Sequence, residues 1–433
     1  MIYFIKSTDY IGVWMKKLYK REFYLKKIRG FYDDDEIIKV ITGVRRCGKS
    51  SLMELVCAEL REKGVPEENI VYIHLDKRPY KSLKKAAELE ELIDSKVSDV
   101  TGMKYLFIDE IQNIESFEEV INAYREEGDY SIFITGSNSY LLSGELATKL
   151  TGRYIEFEMS TLSFNEYIGM KRFYGLDVAP DMEEEFDNYI REGGFPHTVS
   201  LNSFSDKSIY VKSVIDEIYK KDIQKNNRIK NKRLFDTIGT FFINNFGSPM
   251  SVGRLCDYLE TTTKETVRKE TVYRYISILE NAKIISRCRR FDLKSKRSLN
   301  GEEKYYLTDL SFYFSSNTDN RIEYGPVLEN IVYNYARSLG YEISVGRIGK
   351  TEVDFILRDM STDYSYVQVA RYIDNGNVDE NGINLTEERE YRPLEMIRDS
   401  YPKYVLTLDR LLQKRSGIKH MNIIRFMAEE QKF

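Results

Sequence analysis

Eight consecutive residues, Gly43-Val44-Arg45-Arg46-Cys47-Gly48-Lys49-Ser50, carry the spacing G-x-x-x-x-G-K-[ST]. This is the Walker A pattern of a phosphate-cradling loop. The apolar run Ile37-Ile38-Lys39-Val40-Ile41 leads in, and the helix-compatible run Ser51-Leu52-Met53-Glu54-Leu55-Val56 leads out. Strand, loop and helix are the setting the chemistry requires. Gly43 and Gly48 let backbone wrap an anion without Cβ clashes. Loop N–H groups and the helix N-terminus point at the phosphates. Lys49 can reach β- and γ-phosphates, and the Ser50 hydroxyl can ligate Mg²⁺. The candidate nucleotide contacts are Gly43, Arg45, Arg46, Cys47, Gly48, Lys49, Ser50 and Ser51. The implied cofactors are ATP and Mg²⁺.

A second constellation is Tyr105-Leu106-Phe107-Ile108-Asp109-Glu110. Four apolar residues ending in two acids read as a buried parallel strand with carboxylates at its C-terminal tip. Ligands bind at those tips in open α/β sheets. Asp109 is the second Mg²⁺ residue, acting through the ion's water shell. Glu110 is the candidate that orients or deprotonates an attacking water. After the strand Ser131–Thr135 comes Gly136-Ser137-Asn138-Ser139, where Ser137 or Asn138 is a candidate γ-phosphate sensor. Turn chemistry explains the same residues. Arg153 is a candidate γ-phosphate arginine, in cis or across a subunit interface, with a solvated surface arginine as the alternative.

Positioning these groups takes a parallel sheet. Apolar runs at 37–41, 71–75, 105–108, 131–135 and 154–158 alternate with helical patterns. That alternation puts helices on both faces. Residues 26–160 form the expected core, preceded by an extension and lead-in helix over 1–25. The helical, charged stretch 161–235 is expected to form a lid.

The chain has 433 residues, enough for about two to four domains. No apolar run approaches the ~18 residues of a membrane span, and no signal-peptide pattern is present, so no membrane partner and a cytoplasmic setting are expected. Cys47, Cys57, Cys256 and Cys288 lack C-x-x-C spacing, and His74, His197 and His420 lie far apart. Neither a zinc site nor a disulfide framework is signalled.

Net charge is −4 overall but +10 between Lys220 and Lys304, with 20 basic and 10 acidic residues. A basic module in an acidic chain is a nucleic-acid signal. Within 236–315, a short helix near Ser251 precedes an expected helix from Thr266 to Ile285, with Val272, Tyr275, Ile276 and Leu279 on one face. A hairpin with basic residues Arg287, Arg289, Arg290, Lys294, Lys296 and Arg297 follows. Helix, helix and hairpin read as a winged helix-turn-helix, with Arg268, Lys269 and Arg274 near its groove-reading face. Duplex DNA is the expected partner. The alternative is a basic module docked on acidic neighbours.

In 322–433, Glu329 sits on a helical pattern, Glu352-x-Asp354 on a strand, and Gln368-Val369-Ala370 on the next. The layout matches a restriction-endonuclease-like metal site, where carboxylates hold Mg²⁺ and a lysine steadies water. Gln368 and Ala370 replace the expected acid and lysine, so an inactive domain is expected.

From about residue 15 the chain resembles prokaryotic AAA-like P-loop ATPases with a C-terminal restriction-endonuclease-like domain of unknown function. The resemblance rests on Ile41–Ser50, Phe107–Gln112, Ile134–Ser139, Leu162–Tyr167, Gly193-Gly194-Phe195-Pro196 and Tyr401–Thr407. It implies an α/β fold: an AAA-like P-loop NTPase parallel sheet, a helical lid, a winged helix-turn-helix and a C-terminal α/β nuclease-like domain. The functional expectation is a Mg²⁺-dependent ATPase coupling nucleotide state to DNA binding, with oligomers possible. The alternatives are a nucleotide-dependent signalling or scaffold protein and an ATP-regulated nuclease.

Overall fold

Alternating apolar runs and helices fold as the pattern dictates. The structure is a computed structural model, and it describes residues 17–136, 150–225, 227–295, 297–317, 321–373 and 384–433. The first unit contains α1 (Glu22–Ile28), β1 (Ile38–Gly43), α2 (Lys49–Glu62), β2 (Ile70–His74), α3 (Ala86–Val97), β3 (Lys104–Asp109), α4 (Phe117–Glu127), β4 (Tyr130–Thr135) and β5 (Tyr154–Met159). All five strands are parallel, in the order β2-β3-β4-β1-β5. Every residue of β1 and β4 is buried. Both faces are covered, which is why these runs are apolar without alternation. This is an AAA-like α/β sheet.

Three helices follow: α5 (Phe164–Phe173), α6 (Met182–Glu192) and α7 (Phe204–Glu217), the last running into a wider π-helical turn, Ile218–Gln224. The segment Leu162–Tyr167 earns its residues locally. The Ser163 hydroxyl accepts from the Glu166 N–H, and Glu166 accepts from the Ser163 N–H, a capping box that starts α5. Gly193 and Gly194 let backbone come close to Leu162 and Asp309. A Cβ on Gly193 would lie 2.0 Å from Asp309 Oδ1, and one on Gly194 2.4 Å from the Leu162 carbonyl oxygen.

The basic module comprises α8 (Lys232–Asn244), α9 (Val252–Thr263), α10 (Lys269–Asn281) and the hairpin β6 (Ile285–Asp292) with β7 (Arg297–Leu307). The helix expected over Thr266–Ile285 is shorter than its pattern. Lys283 has φ +57°, turning the chain so that Ile284 and Ile285 bury where β6 begins. The rest holds α11 (Ser311–Ser316), α12 (Tyr324–Ser338), β8 (Glu342–Ile348), β9 (Thr351–Arg358), β10 (Tyr364–Val369), α13 (Leu385–Glu395), β11 (Lys403–Thr407), β12 (Lys414–Arg415), β13 (Ile418–Asn422) and α14 (Ile423–Ala428).

The hairpin does not stand apart as a wing. It forms one end of an eight-stranded sheet, β12-β13-β11-β10-β9-β8-β6-β7, through parallel pairing of β6 with β8. A boundary between 315 and 322 therefore cuts a continuous sheet. One hydrophobic core runs from α1 through the lid helices and the three-helix cluster to α12. A second core covers the other face of the first sheet, and a third the far side of the C-terminal sheet. Among the described residues no helix is long and apolar enough to cross a membrane.

Candidate functional site

The loop between β1 and α2 has the conformation its glycines permit. Gly43 has φ +139° and Gly48 φ +110°. A Cβ on Gly43 would lie 2.2 Å from the Met159 carbonyl oxygen, so the position admits glycine alone. Lys49 is buried, its ammonium donating to the Gly43 and Val44 carbonyls at 2.9 and 3.2 Å. Cys47 is a buried free thiol. Ser50 and Ser51 begin α2 and are partly exposed.

The register of the sheet brings the second constellation to this loop. Asp109 ends β3, opposite His74 at the end of β2. The Thr135 hydroxyl, at the end of β4, donates to Asp109 Oδ1 at 2.5 Å and accepts from the Glu110 N–H at 3.0 Å. His74 Nδ1 lies 3.2 Å from Asp109 Oδ2. The Ser50 hydroxyl also bonds the Asp109 carboxylate. Burial opposes charge on Asp109, yet bonds from His74, Thr135 and Ser50 outweigh it and hold its carboxyl below the usual range. Glu110 goes the other way. Burial pushes its carboxyl up, and the nearby Lys49 and Arg45 only partly offset this. Two adjacent acids are thus separated in acidity, one an anion fit to face a cation, the other fit to take a proton.

His74 and Thr135 were not among the sequence candidates. Both end strands flanking β3, and that position is the signal that could have flagged them. Asn138 and Ser137 lie outside the described residues. Arg153 is not brought to the loop. It precedes β5 at the edge where Ile38 pairs with Tyr154, whereas Gly43 pairs with Met159 at the other end. The strand separates them by about 17 Å. Its guanidinium bonds Asn122 and pairs with Glu126. A contribution in cis is ruled out by that length.

Arg45 and Arg46 reach across to the lid. Arg45 forms a two-pronged bond with Asp222 at 2.9 and 2.8 Å, both side chains buried. Arg46, at φ +69°, pairs with Glu217 at 3.0 Å. Arg21, also missed, donates to the Cys47 carbonyl at 3.1 Å and forms a buried pair with Glu166. Pro196 of the lid lies over the loop, its Cγ 3.9 Å from where a Cβ of Gly48 would be.

A family profile described as an AAA domain matches residues 35–168. A second, described as a domain of unknown function (DUF8612), matches residues 183–318. An "Uncharacterized protein" of Haemophilus influenzae is 32% identical over 392 residues, covering 90% of this chain and 94% of its own length. The chain belongs to that protein's family, and its core is an AAA domain. "Uncharacterized protein MJ1544" of Methanocaldococcus jannaschii is 29% identical over 336 residues, covering 74% of this chain and 72% of its own. Among solved structures, "The walker-type atpase paby2304 of pyrococcus abyssi" aligns with TM-score 0.48 at 16% identity, over 69% of this chain and 95% of that one. The Aeropyrum pernix ORC1 protein in complex with DNA aligns with TM-score 0.33 at 15% identity, over 69% and 92%.

Beyond its AAA domain, this family member gathers Glu329, Glu352 and Asp354, the acids expected in a nuclease-like metal site, around Lys304, which was not among the sequence candidates. Lys304 of β7 is buried and donates to Glu329 at 2.8 Å and pairs with Glu352 at 2.9 Å. The Tyr306 hydroxyl also donates to Glu329, and Arg290 pairs with Glu352. Asp354 accepts from the Val369 N–H at 2.8 Å. Gln368 accepts from the Asp354 N–H and donates to Glu390, both at 2.8 Å. Burial, then Glu329, push the Asp354 carboxyl well above the ordinary range. Among the described residues no group of three or more His, Cys, Asp or Glu side chains is arranged to hold a metal ion.

The basic residues divide. Arg287 pairs with Glu280 and Glu303, and Arg290 with Glu302 and Glu352. Arg289, Lys294 and Arg297 are exposed, as are Arg268, Lys269 and Arg274 around the start of α10. Lys296 lies outside the described residues. Arg371 packs its guanidinium over the Tyr324 ring at 3.9 Å.

Proposed function

We propose that the protein is a Mg²⁺-dependent ATPase whose nucleotide state governs how α8–α10 meet duplex DNA. The observation that carries the ATPase reading is the meeting of Ser50, Asp109 and Glu110 at the phosphate loop, with two carboxyls of opposite acidity. Two oxygen donors in contact, Ser50 and Asp109, suit a hard cation. Mg²⁺ bound there would neutralise charge on the β- and γ-phosphates. Gly43–Ser51 would cradle the phosphates, and Lys49 would reach them from its position across the loop. Glu110 would accept the proton of the attacking water as a water–phosphorus bond forms and the β–γ bridge breaks, leaving ADP and phosphate. Asn138 would sense the γ-phosphate beyond Thr135, and Arg153 would act only from a neighbouring subunit.

Arg45 and Arg46 tie the loop to the lid, so a phosphate entering the loop would compete for cations that now bind Asp222 and Glu217. That competition is the proposed route from nucleotide to the module after the lid. DNA as its partner is favoured by the exposed Arg268, Lys269, Arg274, Arg289, Lys294 and Arg297, which no acid of this chain pairs within ion-pair distance among the described residues. A nuclease reading is disfavoured, since the Lys304 ammonium engages the Glu329 and Glu352 carboxylates that would otherwise hold a metal.

The test is ATP hydrolysis by the full chain, with and without Mg²⁺ and duplex DNA, beside a thermal melt. At ATP about 100 times Kd, stabilisation of roughly 2.7 kcal/mol is expected, and Lys49→Ala should remove most of it. Equal thermal shifts in wild type and variant would remove the phosphate-loop assignment. Hydrolysis indifferent to DNA would favour the scaffold reading.

A further inference from the structure

A cavity of about 390 Å³ lies where α1, the turn after β5, α12 and the C-terminal segment meet, and none of residues 43–51 lines it. Its body is apolar, walled by Phe23, Leu162, Leu310, Ile331, Leu339 and Met427. Lys26, Lys27 and Lys432 also line it, and all three are exposed. The carboxylates of the lining are engaged elsewhere. Glu166 holds Arg21, Glu430 accepts from Asn165, and Asp309 accepts from Gly194 and Ser311. Among the described residues none of the three lysines has a carboxylate within ion-pair distance. Lys27 donates to the Ser338 carbonyl at 3.1 Å and lies over the Phe23 ring at 4.1 Å. Partial desolvation of its ammonium among the apolar walls, then the charge of Lys432, push it below the ordinary range.

We propose that this cavity binds an organic anion with a compact apolar body, its acid group held between Lys27 and Lys432. Volume and lining suit a small molecule: apolar walls with few polar groups, and a size within the ~300–1,000 Å³ of ligand pockets. Unpaired like charges converging at an apolar pocket lower each other's cost when an anion enters. The bound molecule would lie against the Ser160–Thr161 backbone. Arg21 donates to both of those carbonyls and to that of Cys47, so the anion sits two contacts from the phosphate loop.

The experiment is a fluorescence titration of the full chain with anilinonaphthalene sulfonate, with decanoate as competitor and thermal melts of every variant. One saturable site per chain, displaced by decanoate, is expected. Lys27→Glu and Lys432→Glu should each weaken it by about tenfold or more, since a charge contact becomes a repulsion. Leu339→Trp should fill the body and abolish binding while the melt stays cooperative. Lys49→Ala should bind the probe as wild type does, which separates this site from the nucleotide loop. Unsaturable binding, loss of binding in Lys49→Ala, or indifference to both lysine reversals would each overturn the proposal.

Discussion

At the scale of single residues, the site separates two neighbouring acids by environment. Asp109 receives three side-chain hydrogen bonds, while Glu110, at φ +60°, faces a mostly desolvated space. Glu110→Gln should bind ATP as wild type does and turn it over far more slowly, because the amide keeps the shape and cannot take a proton. A variant with unchanged turnover would leave Glu110 a structural role. The pH dependence follows from the direction of the shift. A base must be deprotonated, so hydrolysis should rise with pH through an apparent pKa above the ordinary glutamate range. The stability terms run oppositely. The raised carboxyl of Glu110 contributes below its unfolded pKa and loses that contribution as pH rises through the folded value. Asp109 contributes above its unfolded pKa and loses it as pH falls. A pH–rate profile of wild type, whose acid limb stayed in the ordinary range, would contradict the assignment.

At the scale of elements, the lid is held to the phosphate loop by charge. Arg45 and Asp222 are both buried, and removing one takes the two-pronged ionic bond from the other. Asp222→Ala should cost about 3–5 kcal/mol in denaturant unfolding, and replacing both with apolar residues should recover much of it. The hairpin shows why a run of basic residues is a weak guide to a partner. Arg287 and Arg290 are bound by acids of the chain itself, so they are poor phosphate contacts. Arg289, Lys294 and Arg297 remain. If about three contacts form, log affinity should fall against log salt with slope near −2.7, and Arg289→Ala should flatten it by about 0.9. Anisotropy on random duplex DNA measures both slopes, and no binding at about 50 mM salt would remove the DNA reading.

At the scale of the molecule, one core joins the AAA domain to everything after it, and ion pairs cross the same seams. Glu158 at the end of β5 meets Lys283 of the turn after α10 and Arg337 of α12. Burial opposes its charge, but those two cations bring its carboxyl down to about 2. The C-terminal sheet is closed in a similar way by Lys304. Lys304→Met should destabilise the chain by about 3–5 kcal/mol near neutral pH, since Glu329 and Glu352 lose their ammonium. The loss should shrink in acid as the carboxyls take protons. Wild type should show no Mn²⁺-dependent plasmid cleavage, and cleavage abolished by Asp354→Asn would restore the nuclease reading.

The phosphate loop and the five core strands were legible because their information is local. Eight consecutive residues hold the loop's geometry, and buried parallel strands are short apolar runs. The runs at 37–41, 71–75, 105–108, 131–135 and 154–158 became strands at 38–43, 70–74, 104–109, 130–135 and 154–159. Helix ends were less legible, as with Ile284 and Ile285, which close the expected helix yet bury in the turn after α10 and at the start of β6. What lay beyond reach was pairing across distance. Arg45 and Asp222 are 177 positions apart, and His74 meets Asp109 only through the β2–β3 register. Lys304 reads as one more cation of a basic run until β7 carries it against Glu329 and Glu352. Residue types decide what a side chain can do, but its partner depends on which strands pair and which helices pack. Those choices are made by burial over the whole chain, so only the tertiary structure decided which charges meet acids and which face water.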